Sequence, residues 1–181
     1  MKVTETKLKG CFIVEPKVHE DQRGYFFESF NLKEFQSLTG SNTEFVQDNQ
    51  SKSRYGVLRG LHFQRGIHAQ AKLVRVIRGE VLDIAVDIRK GSKTFGEHVA
   101  IKLSETNKKQ FFVPKGFAHG FIVLSDYCEF FYKCDNYYNK DSESGIHFND
   151  ADLNIDWIIE ERDIIVSEKD QLLKSFKDIK L

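Results

Sequence analysis

Proline and cysteine are both scarce in this chain of 181 residues, which holds two prolines (Pro16 and Pro114) and three cysteines (Cys11, Cys128 and Cys134). So little proline excludes a proline-rich linker, and the scattered glycines exclude a collagen-like repeat. An odd number of thiols with no Cys-x-x-Cys pair excludes a disulfide scaffold and predicts reduced cysteines. Excess charge is missing as well, since 27 Lys and Arg balance 27 Asp and Glu. That balance excludes nucleic-acid binding by bulk charge and leaves room for local basic pockets that hold small anions. No apolar run approaches the roughly 20 residues of a membrane-spanning helix. The opening MKVTETKLKG has no apolar stretch and does not read as a secretory leader. The expectation is a cytoplasmic protein with neither nucleic acid nor membrane as partner.

Aromatic side chains, by contrast, are abundant: 16 are phenylalanine, and aromatics make up 13% of the chain. Such a composition argues for a packed core and against disorder. One domain spanning residues 1–181 is expected, able to bury about 70% of its extended surface. Val81 to Ile88 has the period of a strand. Leu82, Ile84, Val86 and Ile88 form a greasy face, and Val81, Asp83, Ala85 and Asp87 a mixed one. His98–Leu103 repeats the alternation, and Leu73–Ile77, Phe111–Val113, Gly120–Leu124 and Cys128–Cys134 are short apolar runs bounded by turn residues. Helical signals are confined to the ends. Asn31 is placed to cap a helix carrying Leu32, Phe35 and Leu38, with Glu34 completing a capping box and Gly40 stopping it. Ser167 is placed to cap a second, containing Leu172, Leu173 and Phe176. Many short strands with peripheral helices predict an all-β fold, a jelly-roll barrel or sandwich that encloses a small-ligand cavity.

Three segments bring chemistry to those strands. In LRGLHFQ (58–64), an extended strand puts His62 on one face with Gly60 and Gln64, and Arg59, Leu61 and Phe63 on the other. In PKGFAHGF (114–121), a Pro-x-Gly turn delivers His119 into a strand. In Cys128–Cys134, Tyr132 shares a face with Cys128, Phe130 and Cys134. Lys72 opens a further strand. Singly, each is by default a structural or solvated residue; their weight lies in joint occurrence. Pro-x-Gly-x-x-His is similar to the second metal motif of the cupins, but the first motif's second histidine is replaced here by Gln64. Glutamine is a poor ligand for the metals that imidazole suits, and two histidines fall short of three protein ligands. The reading is a cupin barrel with no metal and no cofactor, using histidine for proton transfer.

Taken in order, Asp21-Gln22-Arg23-Gly24-Tyr25-Phe26-Phe27-Glu28, Gln47-Asp48-Asn49, LRGLHFQ, Ala71-Lys72-Leu73-Val74, PKGFAHGF, FFYKCDNYY (130–138) and SEKD (167–170) resemble the dTDP-4-dehydrorhamnose 3,5-epimerases, metal-free cupins of deoxysugar nucleotide synthesis. The resemblance implies epimerisation of a dTDP-4-keto-6-deoxyhexose at C3 and C5, which both flank the C4 ketone. It implies His62 as base with Asp170 as its partner, Tyr132 as acid on the opposite face and Lys72 at the enolate. It implies contacts to the diphosphate from Arg23 and Arg59, and to the nucleotide from Glu28, Gln47 and Asn49, with Asp48 between the last two. Tyr138 would stack on thymine beside Phe26, His119 would touch the sugar, and Glu143 and Lys169 fall at further contact positions. It also implies a homodimer whose N-terminal strands cross to the neighbour, so that Arg23, Phe26 and Glu28 serve the neighbour's site. One local departure stands at Trp157-Ile158, where the family often carries proline after tryptophan. Competing readings are a C3-only or C5-only epimerase, a 3,4-ketoisomerase, a metal-dependent cupin oxygenase and a non-catalytic sugar-binding cupin.

Overall fold

Apolar side chains recurring at every second residue make strands along much of the chain, and the computed structural model describes residues 1–179. In chain order the elements are β1 (Lys2–Glu5), β2 (Phe12–Glu15), β3 (His19–Asp21), β4 (Gly24–Phe26), α1 (Leu32–Thr39), β5 (Gln47–Arg54), β6 (Val57–Gln64), β7 (Lys72–Arg78), β8 (Glu80–Asp87), β9 (His98–Ser104), β10 (Gln110–Val113), β11 (Phe117–Val123), β12 (Tyr127–Cys134), β13 (Glu143–Gly145), β14 (Ile165–Val166) and α2 (Glu168–Gln171). One sheet runs β1-β2-β10-β7-β12-β5, and the other runs β13-β6-β11-β8-β9 with β14 added beside β6. The two sheets face each other as the expected jelly-roll sandwich of the cupin type. Among the described residues no helix is long and apolar enough to cross a membrane.

The core follows from the alternation. Inward residues of both sheets, among them Val74, Val81, Ala85, Phe111, Phe121 and Phe130, meet in the barrel interior. The opposite face of the second sheet is covered as well, because Leu82, Ile84 and Val86 pack against Ile146, Leu153 and Trp157 of the C-terminal segment. This is why β8 is apolar on both faces. Trp157 donates its indole N–H to the Phe148 carbonyl at 3.0 Å, so its polar edge is satisfied in that layer. A third cluster closes the other end, where Phe35 of α1 meets Phe30, Phe45 and Phe112 at ring-centroid distances of 5.1–5.8 Å. Phe35 is fully buried, and truncating such a side chain to alanine costs about 3–5 kcal/mol.

Helix α1 forms as its caps dictate: Asn31 accepts from the Glu34 amide, and Gly40 ends it in the left-handed region at φ 67. Glu34 does not complete a capping box, since its carboxylate holds the N-terminal amine at 2.9 Å instead. The second predicted helix is far shorter than its apolar pattern implied. Ser167 does cap it, but α2 ends at Gln171. Leu172 is left exposed, Lys174 makes a bridge to Ile146, and Phe176 packs on Phe95 with centroids 5.0 Å apart. Tertiary pairing outcompeted a four-residue helix with little intrinsic stability. At the departure noted in the sequence, Ile158 takes φ 58, a value that a proline ring cannot reach.

Candidate active site

A bulge in β6 aims the site. Residues 119 and 121 of β11 pair with 62 and 59 of β6, so two steps on one strand are matched by three on the other. The extra residue falls at Gly60-Leu61. A Cβ on Gly60 would stand 2.6 Å from the Gly120 Cα, so glycine is required where the two strands approach. The consequence corrects the simple alternation. Leu58, Leu61 and Phe63 pack outward, whereas Arg59 turns inward and lines the same cavity as His62.

That cavity has a volume of about 520 Å³ and lies between the sheets. Sheet two contributes Arg59, His62 and His119, sheet one contributes Lys72 and Tyr132, and α2 supplies Asp170. A continuation of about 330 Å³ shares Asn49, His62, Lys72 and Tyr132 and leads to Gln47, Tyr138 and Glu143. The two spaces thus form one cleft, with an imidazole on one wall, a phenol on the other and an ammonium beside the phenol.

His62 Nε2 lies 2.6 Å from Asp170 Oδ1. Asp170 is only 4% exposed, and its other oxygen accepts from the Gly60 amide at 3.4 Å. Burial pushes its carboxyl pKa upward, but hydrogen bonds from His62, Gly60 and Ser167 outweigh that and hold it below the usual value. A neutral His62 that donates Nε2–H to this carboxylate presents a bare Nδ1 as proton acceptor. Across the cleft, burial raises the Tyr132 phenol above its usual pKa, so it stays protonated. The Lys72 ammonium lies 5.9 Å from the centre of that ring. Burial lowers the Lys72 pKa, while Cys134, Asp83 and Glu143 pull it back up.

His119 is 7% exposed and bonds Asp83 Oδ1 at 2.8 Å through Nε2. Arg59 donates through Nε to Ser53 Oγ at 3.1 Å, and among the described residues the rest of its fork has no hydrogen-bond partner. Asn49 and Gln47 bond each other on the inner face of β5. Tyr138, half-exposed at the mouth, donates its hydroxyl to Glu143, which also accepts from Lys169.

Four expected contacts are not in this cleft. Asp48 points to the opposite face of β5, where Lys133 binds it at 3.0 Å, because neighbouring strand residues face opposite ways. Arg23, Phe26 and Glu28 lie on or beside the β3–β4 hairpin, whose two strands, among the described residues, pair only with each other. There Phe26 is 71% exposed, and Arg23 is clasped by Asp21 at 2.6 Å. The sequence reading missed Asp83, whose signal was a carboxylate between Val81 and Ala85 on the interior face of β8. It also missed Ser53 and the aromatic floor, where Phe121 and Phe130 stack at 4.1 Å.

Among the described residues no three His, Cys, Asp or Glu side chains gather as a metal ion would require. Gln64, where the cupin motif has its second histidine, accepts from the Asn139 amide through Oε1 at 3.1 Å. Each cleft histidine is tied to its own carboxylate instead.

Comparison with known proteins gives the chain's relatives. The family model for dTDP-4-dehydrorhamnose 3,5-epimerase matches residues 5–178. The protein of that name from Escherichia coli is 50% identical over 99% of this chain and 96% of its own length. The crystal structure of a dTDP-4-dehydrorhamnose 3,5-epimerase from Elizabethkingia anophelis superimposes with a TM-score of 0.95 at 61% identity, covering 98% of this chain and 97% of that one. A dTDP-6-deoxy-D-glucose-3,5-epimerase from Legionella pneumophila, solved in complex with dTDP-4-keto-L-rhamnose, gives a TM-score of 0.95 at 49% identity, covering 99% of this chain and 94% of that one.

Proposed function

This chain belongs to the dTDP-4-dehydrorhamnose 3,5-epimerase family, and we infer that its cleft performs that family's reaction with the residues gathered there. The protein is an isomerase that converts dTDP-4-dehydro-6-deoxy-D-glucose into dTDP-4-dehydro-L-rhamnose. C3 and C5 both flank the C4 ketone, so removing the proton at either carbon places the charge on one oxygen. Inversion needs a base on one face of the ring and an acid on the other.

We assign His62 Nδ1 as the base. Asp170 orients the ring and stabilises the imidazolium that forms, as in other His–Asp pairs. Lys72 holds the enolate oxygen at C4. Tyr132 returns a proton from the opposite wall. The observation that carries this reading is the 2.6 Å contact between His62 of one sheet and Asp170 of α2, facing Tyr132 and Lys72 on the other sheet. The inner cavity takes the sugar beside His119, Arg59 takes the diphosphate, and the outer space takes the nucleoside. Gln47 and Asn49 lie along its wall, and Tyr138 stands at the mouth as a stacking platform, with Glu143 and Lys169 setting its position.

A homodimer completes this reading. An isolated two-stranded hairpin is marginal in water, and exposed aromatic surface seeks cover. Seating β3–β4 on a second copy supplies that cover and carries Arg23, Phe26 and Glu28 toward the neighbour's diphosphate and base. Mixing Arg23→Ala and Asp170→Asn proteins then restores activity that neither has alone, because one site of each mixed dimer is intact. A mixture as inactive as its parts refutes the shared site.

Incubation of the dTDP-4-keto sugar with the protein in deuterated water, followed by NMR, tests the reaction. Label at both C3 and C5 is expected. Label at one carbon marks a single epimerase, and binding without label refutes catalysis.

A further inference from the structure

We propose that Gln64 is a positioning residue for nucleotide binding, its side-chain carbonyl fixing the backbone beneath Tyr138 so that the ring is already in place at the cleft mouth. The inference rests on the reading of Tyr138 as the stacking platform and extends it to a residue with no part in the proton transfers. Gln64 closes β6, two residues beyond His62, and is 8% exposed. Its place in the metal-cupin motif gives it no role in this cleft, because glutamine suits those metals poorly. A buried amide nonetheless needs partners for its polar atoms. The Gln64 Oε1 finds one in the Asn139 N–H at 3.1 Å.

The neighbouring amide is held in the same way from the other side. Gln47 of β5 accepts from the Tyr138 N–H through Oε1 at 3.1 Å. Strand β5 belongs to one sheet and β6 to the other. The consecutive amides at 138 and 139 are thus gripped from both walls of the outer space, which Gln47, Gln64 and Tyr138 line together. Two more bonds hold the entry to this segment. Gln70 donates to the Asn136 carbonyl at 2.8 Å, and Asn136 donates to the Ile67 carbonyl at 2.9 Å. Beyond it, Asn139 caps the single turn at Lys140–Ser142 by accepting from the Ser142 amide at 2.9 Å. Tyr138 itself is 52% exposed, and its side chain has one hydrogen bond, to Glu143. A ring that open to solvent gains little from packing, so the backbone below it sets its position. A platform ordered in advance spares the ligand the cost of ordering it, and loss of one anchor returns that cost to binding.

The test compares wild type, Gln64→Met, Tyr138→Ala and the double variant in the full-length protein. Methionine keeps the length of the side chain and removes the acceptor oxygen. Gln64→Met is expected to raise KM for the dTDP-4-keto sugar and the dissociation constant for dTDP about fivefold, with kcat within about twofold. Inhibition by inorganic pyrophosphate is expected to stay as in wild type, because the diphosphate subsite lies elsewhere. In the Tyr138→Ala background the same substitution is expected to change dTDP affinity by less than about twofold, since a residue that acts through the ring has nothing left to act on. Amide hydrogen exchange read by NMR adds a measure on the wild type itself, where the Asn139 N–H is expected to be protected. Gln64→Met with wild-type dTDP affinity overturns the proposal. So does a full penalty that persists without the ring, which would make Gln64 a direct contact or a support of the fold. An unprotected Asn139 amide in wild type overturns it even where Gln64→Met does not fold. Tyr138→Ala that binds dTDP as tightly as wild type refutes the platform reading and the proposal together, whereas loss of affinity in Tyr138→Ala with none in Gln64→Met overturns the proposal alone.

Discussion

Replacing Asp170 by asparagine changes one atom and addresses the catalytic pair directly. The carboxylate oxygen 2.6 Å from His62 Nε2 becomes part of an amide. A hydrogen bond to a charged partner is worth about 1.5–3 kcal/mol, or roughly 10- to 200-fold in rate at 1.36 kcal/mol per decade. That is the loss from an imidazolium without its counter-charge. A second loss arises if the amide N–H faces Nε2, because the ring proton then moves to Nδ1 and the base disappears. In a serine-protease triad the equivalent change costs about 10⁴-fold. Asp170→Asn is therefore expected to lower kcat by about 10²- to 10⁴-fold and to slow deuterium entry at C3 and C5 together, since one base serves both carbons. The fold is expected to survive. Asparagine can still accept from the Gly60 amide, and the Ser167 cap on residue 170 involves the backbone. The assay is NMR exchange in deuterated water beside a thermal melt. Turnover within about threefold of wild type in a variant with an unchanged melt would refute Asp170 as the partner of the base.

Tyr132→Phe removes only a hydroxyl. It is expected to leave hydrogen exchange on the His62 face running while inverted product falls, with a melting shift under about 4 °C, which corresponds to roughly 1 kcal/mol at this size. Normal double epimerisation would remove Tyr132 as the acid. Asp87 is fully buried and accepts from Arg89, Ser92 and Thr94 at 2.6–2.9 Å. Burial pushes its carboxyl up, but those hydrogen bonds win and hold it far below the usual value. A depressed carboxyl contributes stability above the ordinary value of about 4 and loses it as pH falls further. Asp87→Asn is therefore expected to cost about 2–4 kcal/mol at pH 7, with the gap to wild type narrowing below about pH 4 in denaturant titrations. A gap independent of pH would contradict the ionised pair. Ile158 is a β-branched residue at φ 58 and 46% exposed. Ile158→Asn relieves about 1–2 kcal/mol of left-handed strain against part of one apolar side chain, and is expected to raise the melting temperature by about 1–4 °C. A lower melting temperature would refute the strain.

The fold was legible because its cause is local. Alternation in Val81–Val86 and Cys128–Cys134 reports which faces are covered, and a Pro-x-Gly turn before His119 starts a strand wherever it occurs. Caps at Asn31 and Gly40 are equally local, and α1 forms between them. The second helix was misjudged because its length is set by a distant event. Lys174 bridges to Ile146 and Phe176 goes to Phe95, and neither partner is visible from the 167–176 pattern.

The site was legible as a set of residue types and only partly as a geometry. Strict alternation put Arg59 behind the wall, and one extra residue in β6 moved it to the front. The glycines that permit this, Gly60 and Gly120, stand in the sequence as Arg-Gly-Leu-His and His-Gly-Phe, but a bulge is a relation between two strands and neither motif states it alone. The same alternation, applied to β5, separates Asp48 from Gln47 and Asn49 and would have excluded it. Asp83 shows the converse. Its charge on the interior face of β8 was plain, but its meaning depends on His119 from a neighbouring strand. A lone buried carboxylate is a cost; paired with an imidazole it holds that ring in one orientation. Chemistry of this kind belongs to juxtapositions that only the closed sandwich creates.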